Sequence, residues 1–302
     1  MNKPWHPEQC VSIETATHLI TEQFSHLKII DIKFLGEGWD NTAFLINDQY
    51  VFRFPRKKET VVLLKNELKL LPYLADKLPL STPYLEFAGN PTKQYPWIFA
   101  GYNHISGITA CCANLSAASR IKNAVRLAEF LSKLHHFPLQ EVQQLNLPMD
   151  ISGRMDLTKL IPSIIKNIKM IEPLKLINTA LLMDYVTSIK IFSIENIYCL
   201  THGDLYARHL IVNASHDIIG IIDWGDAEIG HPAIDLAIAH IFLPPSAYAL
   251  FKKTYGPISD ETWELARIRA IYSLTTTIIY GHDIHDENLI KESITGLTYL
   301  LA

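Results

Sequence analysis

Apolar and polar positions alternate along residues 29–54 in the manner of β-strands. Ile30, Ile32 and Phe34 lead into Gly36-Glu37-Gly38, then Ala43-Phe44-Leu45-Ile46, a turn at Asn47-Asp48-Gln49, and Tyr50-Val51-Phe52-Arg53-Phe54. Strand, glycine turn, strand, tight turn, strand predicts an antiparallel meander. The period then lengthens: Leu64, Leu68 and Leu71 share one face of a helix over 61–74. Pro79, Pro83 and Pro91 punctuate the path to a further apolar run, Trp97-Ile98-Phe99-Ala100-Gly101-Tyr102. The first hundred residues are expected to form a small sheet carrying one main helix.

Beyond that point the pattern is helical. Ile121, Ala124, Val125, Ala128, Leu131 and Leu134 line one stripe of a helix over 119–135. Further helices are expected near 157–171, 174–191, 232–242 and 260–280, the last behind a cap at Ser259 or Asp260. One island of strand, 209–223, interrupts them. Gly101 and Gly107 flank the connection between the two textures. The expected class is α+β in two lobes: residues 1–105 with an antiparallel sheet, and residues 106–302, larger and mainly helical. A cleft between two such lobes is where a ligand is expected.

Composition narrows the classes. Of 302 residues 48% are apolar and 19% charged, so much of the apolar content must be buried. That content excludes disorder, and no fixed period suggests a repeat array. Lys and Arg total 27 against 31 Asp and Glu, a net charge of −4, which argues against a nucleic-acid partner. No window approaches the ~18 apolar residues of a bilayer span, so no membrane partner is expected. The start, Met1 to Glu8, lacks the basic and apolar run of a signal peptide. Cys10, Cys111, Cys112 and Cys199 form neither a C-x-x-C pair nor a disulfide framework. A cytoplasmic location is expected. Nothing in the pattern specifies an oligomeric state.

Chemistry concentrates in Thr201-His202-Gly203-Asp204 through Asn213, and in Ile218 through Asp223-Trp224-Gly225-Asp226. If Ala214-Ser215-His216-Asp217 close a hairpin, Asn213 faces Ile218 and His209 faces Ile222. His209 then lies beside Asp223, and Asp204 reaches the same place from the loop upstream. Converging carboxylates are costly unless a cation or a proton separates them. Mg²⁺ carrying nucleotide phosphates answers that need, with one carboxylate left to accept a proton from an attacking hydroxyl. A transition-metal hydrolase with His202, Asp204, His209 and Asp223 as ligands is a second answer. Capped turns and strand ends with no catalytic role are a third.

The run H-G-D, short strand, turn, I-I-D-W-G-D resembles the aminoglycoside phosphotransferase family of antibiotic kinases, which share the bilobal fold of protein kinases. The branches acting on aminoglycosides and macrolides are the most similar. The resemblance covers most of the chain in order, with its specific core at 202–226. It implies that Asp204 is the catalytic base and that Asp223 binds metal. His209 stands where the general pattern has a metal-binding Asn; Mg²⁺ prefers oxygen ligands, although some antibiotic kinases carry His here. Arg53 takes the place of the phosphate-binding lysine, with Glu67 as its helix partner. Gly36 and Gly38 match a phosphate-covering loop, with Asn41 where a third glycine would stand. Asn103 and Ile105 fall where backbone groups bind the base, and a bulky Tyr102 would favour guanine. His202 and Asp235 would support the catalytic loop. Asp226, Asp283, Asp286 and Glu287 are candidates for holding a polycationic acceptor. The implied activity is Mg²⁺-dependent transfer of the γ-phosphoryl of ATP or GTP to a small-molecule hydroxyl, foremost an aminoglycoside or macrolide. A kinase of choline, homoserine or a similar metabolite, and a non-catalytic nucleotide-binding regulator, are the alternatives.

Overall fold

In the computed structural model, which describes residues 5–150 and 153–302, the chain divides into two units. The first comprises the residues up to Lys77, Ser81–Ser106 and Trp224–Asp226; the second comprises Leu78–Leu80, Gly107–Asp223 and Ala227–Ala302. Residues 1–4, on which part of the N-terminal reading rests, lie outside the described residues.

The first unit is built on the alternation at 29–54. Strands β1 (Ile32–Glu37), β2 (Asn41–Ile46) and β3 (Tyr50–Pro55) form the meander. Asn47 and Asp48, both at φ 55°, make the tight turn, a backbone state that Asn and Asp tolerate better than other side chains. With β4 (Leu85–Gly89) and β5 (Phe99–Asn103) they complete an antiparallel sheet in the order β1-β2-β3-β5-β4. Its core is aromatic: Phe44, Phe52, Phe54 and Phe99 are fully buried, with Phe54 stacked on Phe99 at 4.7 Å between centroids. The long helix α2 (Thr60–Leu74) is where the leucine spacing puts it. A shorter helix, α1 (Ile13–Gln23), was not predicted. Ser12 caps it by accepting the Thr15 N–H at 3.2 Å, and Ala16, Leu19 and Ile20 sink into the aromatic core.

The second unit is mainly helical. It begins with the short β6 (Ile108–Thr109), followed by α3 (Ala117–His135), α4 (Leu139–Gln144), α5 (Leu157–Ile171) and α6 (Thr179–Ser188). The helix expected over 174–191 is shorter because Pro173 sits in a 3₁₀ turn and Lys175 turns left-handed at φ 53°, so Asn178 starts the helix anew. Next come β7 (Cys199–Thr201), β8 (Leu210–Val212), β9 (Ile218–Ile221) and β10 (Glu228–Gly230), where β7 pairs with β10 and β6-β8-β9 make a second small sheet. The chain closes with α7 (Ala233–Phe242), α8 (Tyr248–Tyr255), α9 (Asp260–Asp283, capped by Ser259) and α10 (Glu287–Leu301). Every residue of α7 is buried, as befits a helix that is apolar all round and packed against α9 and α10. α10 approaches closely at Gly296, where a Cβ would stand 2.5 Å from the Ile241 carbonyl oxygen.

Candidate active site

The hairpin β8–β9 carries the site. Leu210 pairs with Ile221 and Ile211 with Gly220, and the Ile222 N–H donates to the His209 carbonyl at 3.0 Å, so His209 does lie opposite Ile222. At the loop end the register differs from the count: Val212, not Asn213, faces Ile218, because the strand bulges by one residue. Asn213 instead folds the turn, its side-chain oxygen accepting N–H groups from Ser215 and Asp217.

At the open end, His209 Nε2 is 3.5 Å from Asp223 Oδ2, and His209 Nδ1 is 3.6 Å from Asp204 Oδ2. The imidazole is nearly buried, whereas the Asp204 and Asp223 carboxylates remain 47% and 38% exposed, accessible to a ligand. His209 Nδ1 also lies 2.7 Å from the Asp204 backbone oxygen, which can only accept; that bond places a hydrogen on Nδ1, and Nε2 faces Asp223. Asp223 sits at φ 67°, a left-handed conformation that Asp tolerates better than most side chains.

The loop before the hairpin is braced from beneath. Asp235, in the first turn of α7, accepts the His202 N–H at 2.7 Å and the Gly203 N–H at 2.9 Å, and meets His135 Nε2 at 3.2 Å. Burial alone would raise this carboxyl, but His135 and the loop N–H groups hold it below the usual carboxylate range. His202 is fully buried, and burial lowers its pKa despite Asp235 nearby. Its Nε2 donates to the Ile222 carbonyl at 3.1 Å, and its Nδ1 accepts the Asp204 N–H at 3.3 Å. Gly203 takes φ 84°, and Arg154, which no local motif marked, donates to its carbonyl at 3.3 Å.

A cavity of about 80 Å³ opens beside Asp204. Its walls are the loop Gly203–Tyr206, Ile234 of α7, and Arg269, Tyr272, Ser273, Thr276 and Thr277 of α9. Asp226, Asp283, Asp286 and Glu287 do not line it. Asp286 caps α10 by accepting the Leu289 N–H at 2.9 Å and forms an ion pair with Arg208.

In the first unit Arg53 donates to both oxygens of Glu67, at 2.9 and 3.1 Å, and the Glu67 carboxylate is almost wholly buried. The glycine turn is held by a residue the motif did not mark. Arg56 donates to the Gly38 carbonyl at 2.6 Å and to Glu37 at 2.7 Å, while its own N–H reaches the Asp40 carbonyl at 2.8 Å. Tyr102 is only 2% exposed. The Asn103 N–H is spent on the Tyr84 carbonyl at 3.0 Å, so it does not serve a base.

Asp223 and His209 offer a carboxylate oxygen and an imidazole lone pair. Among the described residues no three or more His, Cys, Asp or Glu side chains form a ready-made metal cage. A donor set this sparse fits a Mg²⁺ ion that takes most of its ligands from phosphate and water.

A loop carrying H-G-D, a hairpin ending in an Asp and a five-stranded sheet with a buried Arg–Glu pair define the class of kinase-like phosphotransferases. The phosphotransferase enzyme family model, APH, matches residues 31–160 and 195–271, and the chain belongs to that family. Solved structures share the fold. The GDP and kanamycin complex of APH(2″)-IIIa is 24% identical with a TM-score of 0.67, over 94% of this chain and 97% of that one. Macrolide 2′-phosphotransferase type I is 17% identical at 0.62, over 95% and 98%. ADP-bound APH(2″)-Ib is 21% identical at 0.59, over 96% and 97%.

Proposed function

We propose that the protein is a Mg²⁺-dependent small-molecule kinase that transfers the γ-phosphoryl of ATP or GTP to an alcohol. Aminoglycosides and macrolides are the first acceptors to test, since relatives carry kanamycin or are named for macrolides. GDP and ADP in those relatives support either donor. The observation that carries the reading is the convergence of Asp204, His209 and Asp223 at the hairpin mouth.

Asp204 accepts the proton of the acceptor hydroxyl as its oxygen bonds to the γ-phosphorus and the bond to the β-phosphate oxygen breaks. Asp223 and the Nε2 of His209 are the groups that would hold the cation. When bound, Mg²⁺ neutralises charge on the transferring phosphates. Arg53, fixed by Glu67, offers a fork of donors to phosphate, and the turn at Gly36 and Gly38 covers it. The backbone at Ile105 receives the base. His202 and Asp235 hold the catalytic loop in register. Four free thiols and a nucleotide donor suit the cytoplasm, and among the described residues no helix is long and apolar enough to cross a membrane.

The test is nucleoside diphosphate release with Mg²⁺, using ATP and GTP against aminoglycosides, macrolides and small alcohols. Acceptor-stimulated release that falls about 10²–10⁴-fold in Asp204→Asn is expected. Full activity in that variant refutes the assignment. Nucleotide binding without transfer to any acceptor would instead favour a regulator.

A further inference from the structure

Cys111 and Cys112 are neighbours in the chain and in space. They end the 3₁₀ turn Ala110–Cys112 with their sulfurs 3.9 Å apart. Cys112 is exposed, whereas Cys111 is only 7% exposed. Thr109 Oγ1 lies 3.2 Å from Cys111 Sγ, and Asn288 Nδ2 of α10 donates to Cys112 Sγ at 3.8 Å. The turn packs against α10 and against a second 3₁₀ turn, Ala207–His209, which leads into the hairpin β8–β9. The other two cysteines stand apart. Cys10 is exposed and belongs to the first unit, and Cys199 is buried with its thiol donating to the Gly230 carbonyl at 3.7 Å.

The two thiols differ in what they can do. Burial pushes Cys111 up to about 11, with Thr109 and Arg208 opposing the rise and Cys112 adding to it. Cys111 therefore keeps its proton near neutral pH, and exposed Cys112 is the sulfur that meets a reagent first. A bond between the two would be strained. Their Cα atoms lie about 3.8 Å apart across a trans peptide, short of the roughly 4.4–6.8 Å that a relaxed disulfide spans. A strained, exposed bridge forms only against an oxidant and is readily reopened by thiols, unlike a structural disulfide.

We propose that Cys111 and Cys112 form a vicinal dithiol that is reversibly oxidised by exchange with small-molecule disulfides. The Cys112 thiolate attacks one sulfur of the disulfide RSSR, and the released RS⁻ takes a proton from water. Cys111 gives its proton to solvent and attacks Cys112 Sγ. The Cys111–Cys112 bond forms as the mixed disulfide breaks, and the second RS⁻ leaves and is protonated. Two protein thiols are oxidised and one RSSR is reduced to two RSH. The sulfurs need only close from 3.9 Å to about 2.0 Å.

The test uses the whole chain carrying Cys10→Ser, because exposed Cys10 takes up the reagent by itself. Oxidised glutathione is the probe, read by intact mass and by the non-reduced peptide that contains 111–112. The protein should lose two hydrogens, retain no glutathione and regain both hydrogens with dithiothreitol. Adding Cys111→Ala should trap one glutathione on Cys112, since nothing remains to displace it. Adding Cys112→Ser instead should leave the chain unmodified, with Cys111 shielded. Phenylarsine oxide, which binds across two close thiols, should add once to the Cys10→Ser protein and form no stable adduct with either variant. Glutathione retained on Cys112 while Cys111 is present overturns the proposal. So does a pair that stays reduced under conditions that fully modify the Cys111→Ala variant, or a bridge that forms between two chains.

Discussion

At the scale of single residues, the proton on His209 decides how the site is used. Its Nδ1 hydrogen is tied to the Asp204 carbonyl, which turns Nε2 toward Asp223. A side chain that keeps a short polar acceptor there should substitute for it. His209→Asn is expected to stay within about tenfold of wild-type turnover, whereas His209→Ala should raise the Mg²⁺ concentration needed for half-maximal rate by about 10–100-fold. Equal Mg²⁺ titration curves for wild type and His209→Ala would remove His209 from the cation site. Asp204, His209 and Asp223 were readable because they share one short stretch of chain and one hairpin. Arg154 and Arg56 were not, because each reaches its partner from a segment with no local spacing to announce it.

Among elements, α3 and α10 are joined by a buried ion pair. Arg120 donates to both carboxylate oxygens of Glu292, at 2.6 and 2.7 Å, and to the Phe242 carbonyl at 3.2 Å. Removing one partner strands a charge in the interior. Glu292→Ala is therefore expected to lose about 3–5 kcal/mol of stability in denaturant melts, and Arg120→Met with Glu292→Leu should recover much of it. A loss below about 1 kcal/mol in Glu292→Ala would show the pair to be solvated. Long elements were legible in the sequence, since α3 repeats its apolar stripe over several turns and α9 follows a capping serine. The bulge at Ile218 was not: Asn123 of α3 accepts the Ile218 N–H at 2.8 Å and donates to the His216 carbonyl at 2.7 Å, a tertiary contact that overrides simple pair counting. α1 escaped notice because only Ala16, Leu19 and Ile20 mark its buried face.

For the whole molecule, acid is the expected weakness. Burial pushes His240 down to about 3, with Arg267 and Lys252 adding repulsion around a ring packed on Tyr248 and Trp263. Burial likewise takes His231 to about 4, with Asp150 opposing the shift and His135 adding to it. Both folded values lie below the unfolded one of about 6.5, so between those values the unfolded chain binds more protons. Their contribution is present above pH 6.5 and is lost as the pH falls toward 4; Asp235, held low in the fold, acts in the same direction. The melting temperature should fall by several degrees from pH 7 to pH 5, and less steeply in His240→Phe. An unchanged slope in that variant would discount His240. The two-unit partition has a consequence of another kind. Trp224, fully buried, belongs with the sheet made from the first hundred residues, although it is encoded far downstream. On the ribosome that sheet emerges without its tryptophan and waits until the hairpin β8–β9 has been translated. A gene cut after Ser106 would give neither half a complete unit, so dissecting this protein into independently expressed fragments requires the Trp224–Asp226 strip to be grafted onto the first.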